Sequence, residues 1–167
     1  KGEQACPHFQ YTRPIWASIL WADLLVFASP VYVYHVTGGL KNLLDHFGCH
    51  WMVHRPDPLM FKKQAVIVTA AAGAGMRSAE KDLLDTLHFW GVGHIVTCRV
   101  RTRAMSWNKI PEARQQKLLE SARTLAKRVQ EPGSVRQTPA GRMRFRVLGK
   151  LIGGLTPYDK AYWKKTF

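Results

Sequence analysis

Three short apolar runs constrain this chain more than any other feature: Leu24-Leu25-Val26-Phe27-Ala28, Ala65-Val66-Ile67-Val68-Thr69 and Ile95-Val96-Thr97-Cys98. The first two are apolar without alternation, which predicts strands covered on both faces, as in a parallel sheet with helices on each side. The third passes into the alternating Arg99-Val100-Arg101-Thr102-Arg103, which predicts an edge strand with one wet face guarded by charge. Helical patterns fill the intervals. Residues 12–21 carry Ile15, Ile19 and Leu20 at helical spacing, with Pro14 placed near the start, where proline is tolerated. Residues 38–47 put Leu40, Leu43, Leu44 and Phe47 on one face, and Thr37 is a candidate cap. Ser78 reads as the cap of a third helix with a stripe of Leu83, Leu84, Leu87 and Trp90, stopped by Gly91. Pro111 opens a long helix to about Gln130, ended by Pro132-Gly133.

Repeated alternation of helix and buried strand predicts an α/β fold, a doubly wound parallel sheet in three α/β/α layers with right-handed crossovers. The chain of 167 residues suits one domain with a modest core. No apolar run reaches the roughly 18 residues that span a bilayer. Lys1-Gly2-Glu3-Gln4 lacks the apolar core of a secretory signal, and Cys6, Cys49 and Cys98 make no even framework. A cytoplasmic setting with free thiols is the expectation. The formal charge of +14 attracts anions. Nucleic acid is disfavoured as a partner, because no nucleic-acid motif accompanies the charge.

In an open parallel sheet, ligands bind beyond the carboxyl ends of the strands. Two loops there are unusual. After the first strand come Ser29-Pro30-Val31-Tyr32-Val33-Tyr34-His35-Val36-Thr37-Gly38-Gly39, with a fixed turn at Pro30 and two flat tyrosines. After the second come Thr69-Ala70-Ala71-Ala72-Gly73-Ala74-Gly75-Met76, small residues that let a backbone approach a flat ligand and offer it N–H groups. Each loop alone also reads as an ordinary strand–helix turn; the pair on adjacent strands points to a ligand.

Ser29-Pro30-Val31-Tyr32 followed by Gly39-Leu40-Lys41-Asn42-Leu43-Leu44-Asp45-His46 resembles the SPVY…LK…DR signature of the NADPH-dependent FMN reductase and flavodoxin-like oxidoreductase family. Trp51-Met52-Val53-His54-Arg55-Pro56, Met60-Phe61-Lys62-Lys63, the loop from Thr69 to Gly75 and Phe89-Trp90-Gly91-Val92 continue the likeness. So does the ending Tyr158-Asp159-Lys160-Ala161-Tyr162-Trp163-Lys164-Lys165, and together the pieces cover roughly residues 17–130 and the last ten. The resemblance implies a flavodoxin-like fold and an FMN site, with NADPH or NADH as donor and a small-molecule acceptor such as a quinone or a flavin. By it, Ser29, Pro30, Val31, Tyr32, Val33 and Tyr34 line one edge of the isoalloxazine, and Thr69, Ala70, Ala71, Gly73 and Gly75 line its pyrimidine side. The flavin carries the redox chemistry, so no catalytic acid or base is assigned. The alternatives are a flavodoxin-type electron carrier, against which the basic charge speaks, and a binding module that has lost the flavin.

The family begins with a strand and a loop that holds the FMN phosphate, and nothing before Asp23 supplies them. In the flavodoxin strand order, the first apolar run would then be left as a bare edge, a hazard natural proteins avoid. The expectation is that about 50–70 residues precede Lys1. Residues 1–130 read as the FMN-binding domain without its first strands, and 131–167 as a basic extension packed on the domain or on a partner subunit. The alternating basic and apolar residues from Arg142 to Ile152 would also suit a membrane surface, but packing is the favoured reading. Cys49-His50, with His46 and His54, fits no common zinc spacing, and no metal ligand is assigned. Some family members carry an iron–sulfur cysteine cluster upstream of this strand; with Cys6 alone there, none is expected. His54-Arg55-Pro56 is a candidate contact for a nicotinamide phosphate or a dimer partner, and the aromatic stretch Phe47 to Trp51 suits a homodimer interface.

Overall fold

The computed structural model describes residues 3–152 and 156–167. Helix α1 (Phe9–Trp21) leads into strand β1 (Leu24–Pro30), then α2 (Gly38–His46), β2 (Gln64–Ala71), α3 (Met76–Trp90) and β3 (His94–Arg101). Helices α4 (Glu112–Ala126), α5 (Pro139–Ile152) and α6 (Pro157–Thr166) follow. The three strands form one parallel sheet in the order β1-β2-β3. Its register sets Val26 beside Val66 and Val66 beside Val96, and at the carboxyl end Ser29, Thr69 and Arg99 stand in one row.

Strand residues alternate between two faces, and the alternation decides the layers. Leu25, Ala65 and Ile67 join Trp16 of α1, Leu44 of α2 and Leu83, Leu87 and Trp90 of α3 in one buried core. Trp90 is fully buried, meets Trp16 edge to face at 5.2 Å between ring centres, and donates its ring N–H to the Phe47 carbonyl at 3.3 Å. Helix α4 packs against β3 on the opposite face, where Val66 and Val96 are buried. The end of α4 is tied to β2 by Gln64, whose side-chain amide donates to the Gln130 carbonyl at 2.7 Å and accepts from the Gln130 N–H at 2.8 Å.

Strand β2 is covered on both faces, as its run predicts, and β1 is not. Val26 is 62% exposed and Leu24 37% exposed, because α1, α2 and α3 share one face and α4 sits over β3. Among the described residues β1 pairs with β2 alone. Two helix starts also differ from the sequence reading. Helix α1 begins at Phe9, so Pro14 is interior to it. Helix α3 begins at Met76, two residues before Ser78, because buried Met76 and Ala79 extend its apolar face and Gly75 (φ 88°) supplies the left-handed residue at its start. Thr37 caps α2 by accepting from the Leu40 N–H, and Gly91 (φ 87°) ends α3. In α5, Phe145 packs on Phe61 at 5.0 Å and stacks with Trp163 of α6 at 5.2 Å, while Met143 and Val147 stay exposed. No helix among the described residues is long and apolar enough to cross a membrane.

Candidate functional site

The carboxyl ends of β1 and β2 give the site its two turns. Ser29 is buried; its hydroxyl donates to the Pro30 carbonyl at 2.8 Å and accepts from the Thr37 N–H at 3.3 Å, folding the start of α2 back onto β1. The Val31 N–H donates to the Ala70 carbonyl at 2.9 Å, which locks the first turn to the second strand. Tyr32 and His35 then exchange backbone bonds of 3.0 and 3.1 Å around Val33 (φ 49°) and Tyr34 (φ 68°). A β-branched residue at positive φ is strained, and this one sits at the exposed tip of the turn. Asp82 of α3 holds the turn from behind, accepting from His35 Nδ1 at 3.0 Å and from the Val36 N–H at 3.3 Å.

The second turn meets the first at Gly75. A side chain added there would place its Cβ 2.7 Å from Val31 Cγ1 and 3.1 Å from Tyr34 Cα, so the turns touch through a glycine with no bulky side chain between them. Thr69 is fully buried below, with its hydroxyl 3.5 Å from the Met76 carbonyl. Ala70 and Ala71 are half-buried, and Gly73 opens on free space. Among the described residues, the backbone N–H groups of Gly73, Ala74 and Gly75 meet no acceptor. Such adjacent free donors beside a helix start make an anion- or carbonyl-binding concavity.

Tyr34, Ala74 and Gly75 form one side of an open cleft of about 720 Å³; Arg77, Arg99, Arg101, Arg103 and Arg114 line the rest. Of the residues assigned from sequence, Tyr34 and Gly75 line this cleft, while Ser29, Pro30, Val31, Thr69, Ala70 and Ala71 form its support. Tyr32 and Val33 are exposed on the turn beside it. The arginines were read only as guards of an edge strand. Their signal was the odd-numbered spacing after a run whose carboxyl end, in a parallel sheet, must face the same way as the other two. Arg99 pairs with Glu80 at 3.1 Å, whereas Arg101 and Arg103 have no carboxylate partner among the described residues.

Two loop stretches make contacts within the chain. His54 and Arg55 are engaged within the chain: Asp159 lies 3.2 Å from His54 Nδ1 and 3.3 Å from Arg55 Nε. The Tyr162 hydroxyl donates to the Pro56 carbonyl and the Trp163 ring N–H to the His54 carbonyl, both at 2.7 Å, so two distant pieces of the signature form one joint. Phe47 is buried in the core and Trp51, half-buried, stacks on Phe89 at 4.6 Å.

The family profile described as NADPH-dependent FMN reductase matches residues 1–102. An NAD(P)H-dependent FMN reductase of Pseudomonas aeruginosa is 39% identical over 72 residues, 42% of this chain and 36% of that one. An iron-sulfur flavoprotein of Methanocaldococcus jannaschii is 26% identical over 88 residues, 53% of this chain and 42% of that one. The chain thus spans less than half the length of the curated relatives it matches. Among solved structures, the apo form of an NADH:FMN oxidoreductase superposes with a TM-score of 0.56 at 20% identity, covering 82% of this chain and 68% of that one. An azoreductase superposes with a TM-score of 0.55 at 19% identity, covering 71% of this chain and 63% of that one. These similarities place the sheet and its helices in the flavodoxin-like class.

Proposed function

The chain belongs to the NADPH-dependent FMN reductase family, and from that premise we propose that it is an NAD(P)H-dependent flavin oxidoreductase that works on FMN at the paired turns of β1 and β2. One observation carries this reading: the turns meet at side-chain-free Gly75, and three neighbouring N–H groups have no acceptor among the described residues. The pyrimidine side of a flavin is rich in carbonyl and nitrogen acceptors, which are what those donors require. FMN, when bound, takes hydride from nicotinamide and passes the electrons to a small acceptor such as a quinone or a flavin. The chain's own part is positioning. Gly73, Ala74 and Gly75 hold the polar edge, Val31 and Tyr34 offer an apolar and a flat surface, and Asp82 keeps the first turn in place. The partners in this reading are the nicotinamide donor, the small acceptor and a second copy of the chain in a homodimer.

The arginine-lined cleft supports NADPH over NADH. Guanidinium groups bind phosphate through paired, charge-assisted hydrogen bonds, and Arg101 and Arg103 are uncommitted among the described residues. Removing both, as Arg101→Gln with Arg103→Gln, is expected to raise KM for NADPH by about tenfold or more and to leave KM for NADH nearly unchanged. Equal rises for both donors would remove the cleft from donor selection. The function itself is tested by titrating the chain with FMN and with lumiflavin, then adding NADPH. Bound yellow flavin bleached by NADPH supports the enzyme. Bound flavin indifferent to pyridine nucleotides means a carrier, and failure of both flavins to bind means a flavin-less module.

A further inference from the structure

A second chemical cluster, sharing no residue with the arginine-lined cleft, lies where the segment before α1 meets the end of α2. The ligand atoms of Cys6, His8 and His46 all lie within 4.8 Å of one another. We propose that these three side chains bind one zinc-class divalent ion, with water as the fourth ligand. Thiolate and imidazole are the donors zinc favours, and its tetrahedral bonds separate neighbouring ligand atoms by about 3.3–3.6 Å. His8 Nδ1 and His46 Nε2 already stand 2.9 Å apart, so sub-ångström shifts admit the ion between them.

The ring of His46 is already set for this role. Its Nδ1 lies 2.8 Å from the Asn42 carbonyl, which can only accept, so Nδ1 carries the hydrogen and the Nε2 lone pair faces His8. A histidine whose far nitrogen donates to a carbonyl while the near one is free is the arrangement that orients metal ligands. Without an ion, the His8 Nδ1–H fills that lone pair. On binding, His8 shifts its proton from Nδ1 to Nε2, Cys6 releases its thiol proton to solvent, and no electron moves.

The surroundings leave room. A cavity of about 240 Å³ adjoins the cluster, lined in part by Phe9, Trp16, Cys49 and Arg13. Cys6 and His46 are half-buried and His8 is exposed, which gives the ion a path from solvent. Glu3, Cys49 and His50 meet in the same cavity, but His50 is stacked flat on Trp16 at 3.7 Å between ring centres, in the core rather than turned to an ion. The bond network around Cys6 is local: its N–H donates to the Glu3 carbonyl at 2.9 Å and its carbonyl accepts from the Phe9 N–H at 3.0 Å. A metal would therefore replace the single His8–His46 hydrogen bond with a three-residue clamp of this segment to α2, and its function is structural. The spacing Cys6-Pro7-His8 with a distant His46 matches no linear zinc motif; only the packing of α1 against α2 joins the ligands.

The test uses the full chain, stripped with a chelator and titrated with Zn(II) and, for spectroscopy, Co(II). One zinc per chain is expected, with a raised melting temperature. Co(II) should give a thiolate-to-metal charge-transfer band and the intense visible bands of a four-coordinate ion. Cys6→Ser should abolish the charge-transfer band and the thermal shift, and His46→Ala should weaken binding by about tenfold or more. Cys49→Ser should change neither. Metal-free melting curves establish that each variant folds, and His8→Ala replaces any that does not, with the same tenfold loss expected. A charge-transfer band that survives Cys6→Ser, or one lost in Cys49→Ser, overturns the assignment, as does zinc uptake insensitive to both histidine variants.

Discussion

Replacing Asp159 by alanine is expected to lower the unfolding free energy by about 3–5 kcal/mol in urea melts. The carboxylate is 3% exposed and serves four partners at once. It lies 3.3 Å from Arg55 Nε and 3.2 Å from His54 Nδ1. It also accepts from the Thr156 N–H at 3.2 Å and the Thr156 hydroxyl at 2.8 Å, closing a capping box at the start of α6. Truncation leaves the mostly buried Arg55 with Glu3, 3.6 Å away, as its remaining carboxylate. The penalty comes from leaving Arg55 with only this longer pairing, and the Thr156 and His54 groups without their acceptor, more than from the lost attraction. Asp159→Asn keeps the shape and part of the cap, so it should cost less than alanine but well above 1 kcal/mol. The same contacts predict a pH signature. Burial pushes the Asp159 carboxyl up, yet hydrogen bonds from Thr156 and His54 outweigh it and hold the group below its ordinary 3.8. A carboxyl depressed on folding stabilises above its unfolded value, and that contribution fades as pH falls through the folded value. The wild-type chain should therefore lose stability at acid pH in a component that Asp159→Ala lacks. An alanine variant within about 1 kcal/mol of wild type, with an unchanged acid limb, would show that this joint holds nothing.

That joint marks where sequence reading stops. The signature pieces around His54 and around Asp159 were visible separately, but no local rule pairs residues 105 positions apart. Local rules did reach the elements themselves. Unbroken apolar runs gave three parallel strands, because β-branched residues without alternation suit a sheet with helices beside it. Thr37 and Gly91 were found as helix boundaries because a side-chain oxygen and a left-handed residue are what helix ends need. Ser78 was a false cap for the same reason turned around. Gly75 supplies a positive φ three residues before Ser78, and burial of Met76 takes the helix back to it. Val26 misled because composition reports how apolar a strand is and not which helices arrive to cover it. The arginines of β3 stand on an edge strand as their alternation predicts, and they also line a cleft, because the strand ends beside the turns that follow β1 and β2.

Gly75→Val should reduce FMN affinity by about a hundredfold, or roughly 3 kcal/mol, the worth of about two displaced hydrogen-bond donors. The new Cβ would stand 2.7 Å from Val31 Cγ1, which can rotate, and 3.1 Å from Tyr34 Cα, which cannot move without its backbone. The φ of 88° is also one that a β-branched residue avoids. Both effects drive the second turn away from the first, and the N–H groups of Gly73 to Gly75 travel with it. Gly73→Ala is the matched control, because its added Cβ meets nothing within 4 Å and its backbone is not left-handed. Fluorescence titration with FMN should separate the two variants while thermal melts show how much of the loss is general unfolding. A Gly75→Val chain that melts near wild type and binds FMN as tightly would mean that the flavin does not lie against these turns. A loss confined to Gly75→Val, shared by lumiflavin and FMN, would locate the grip on the ring rather than on the phosphate, since lumiflavin carries no phosphate.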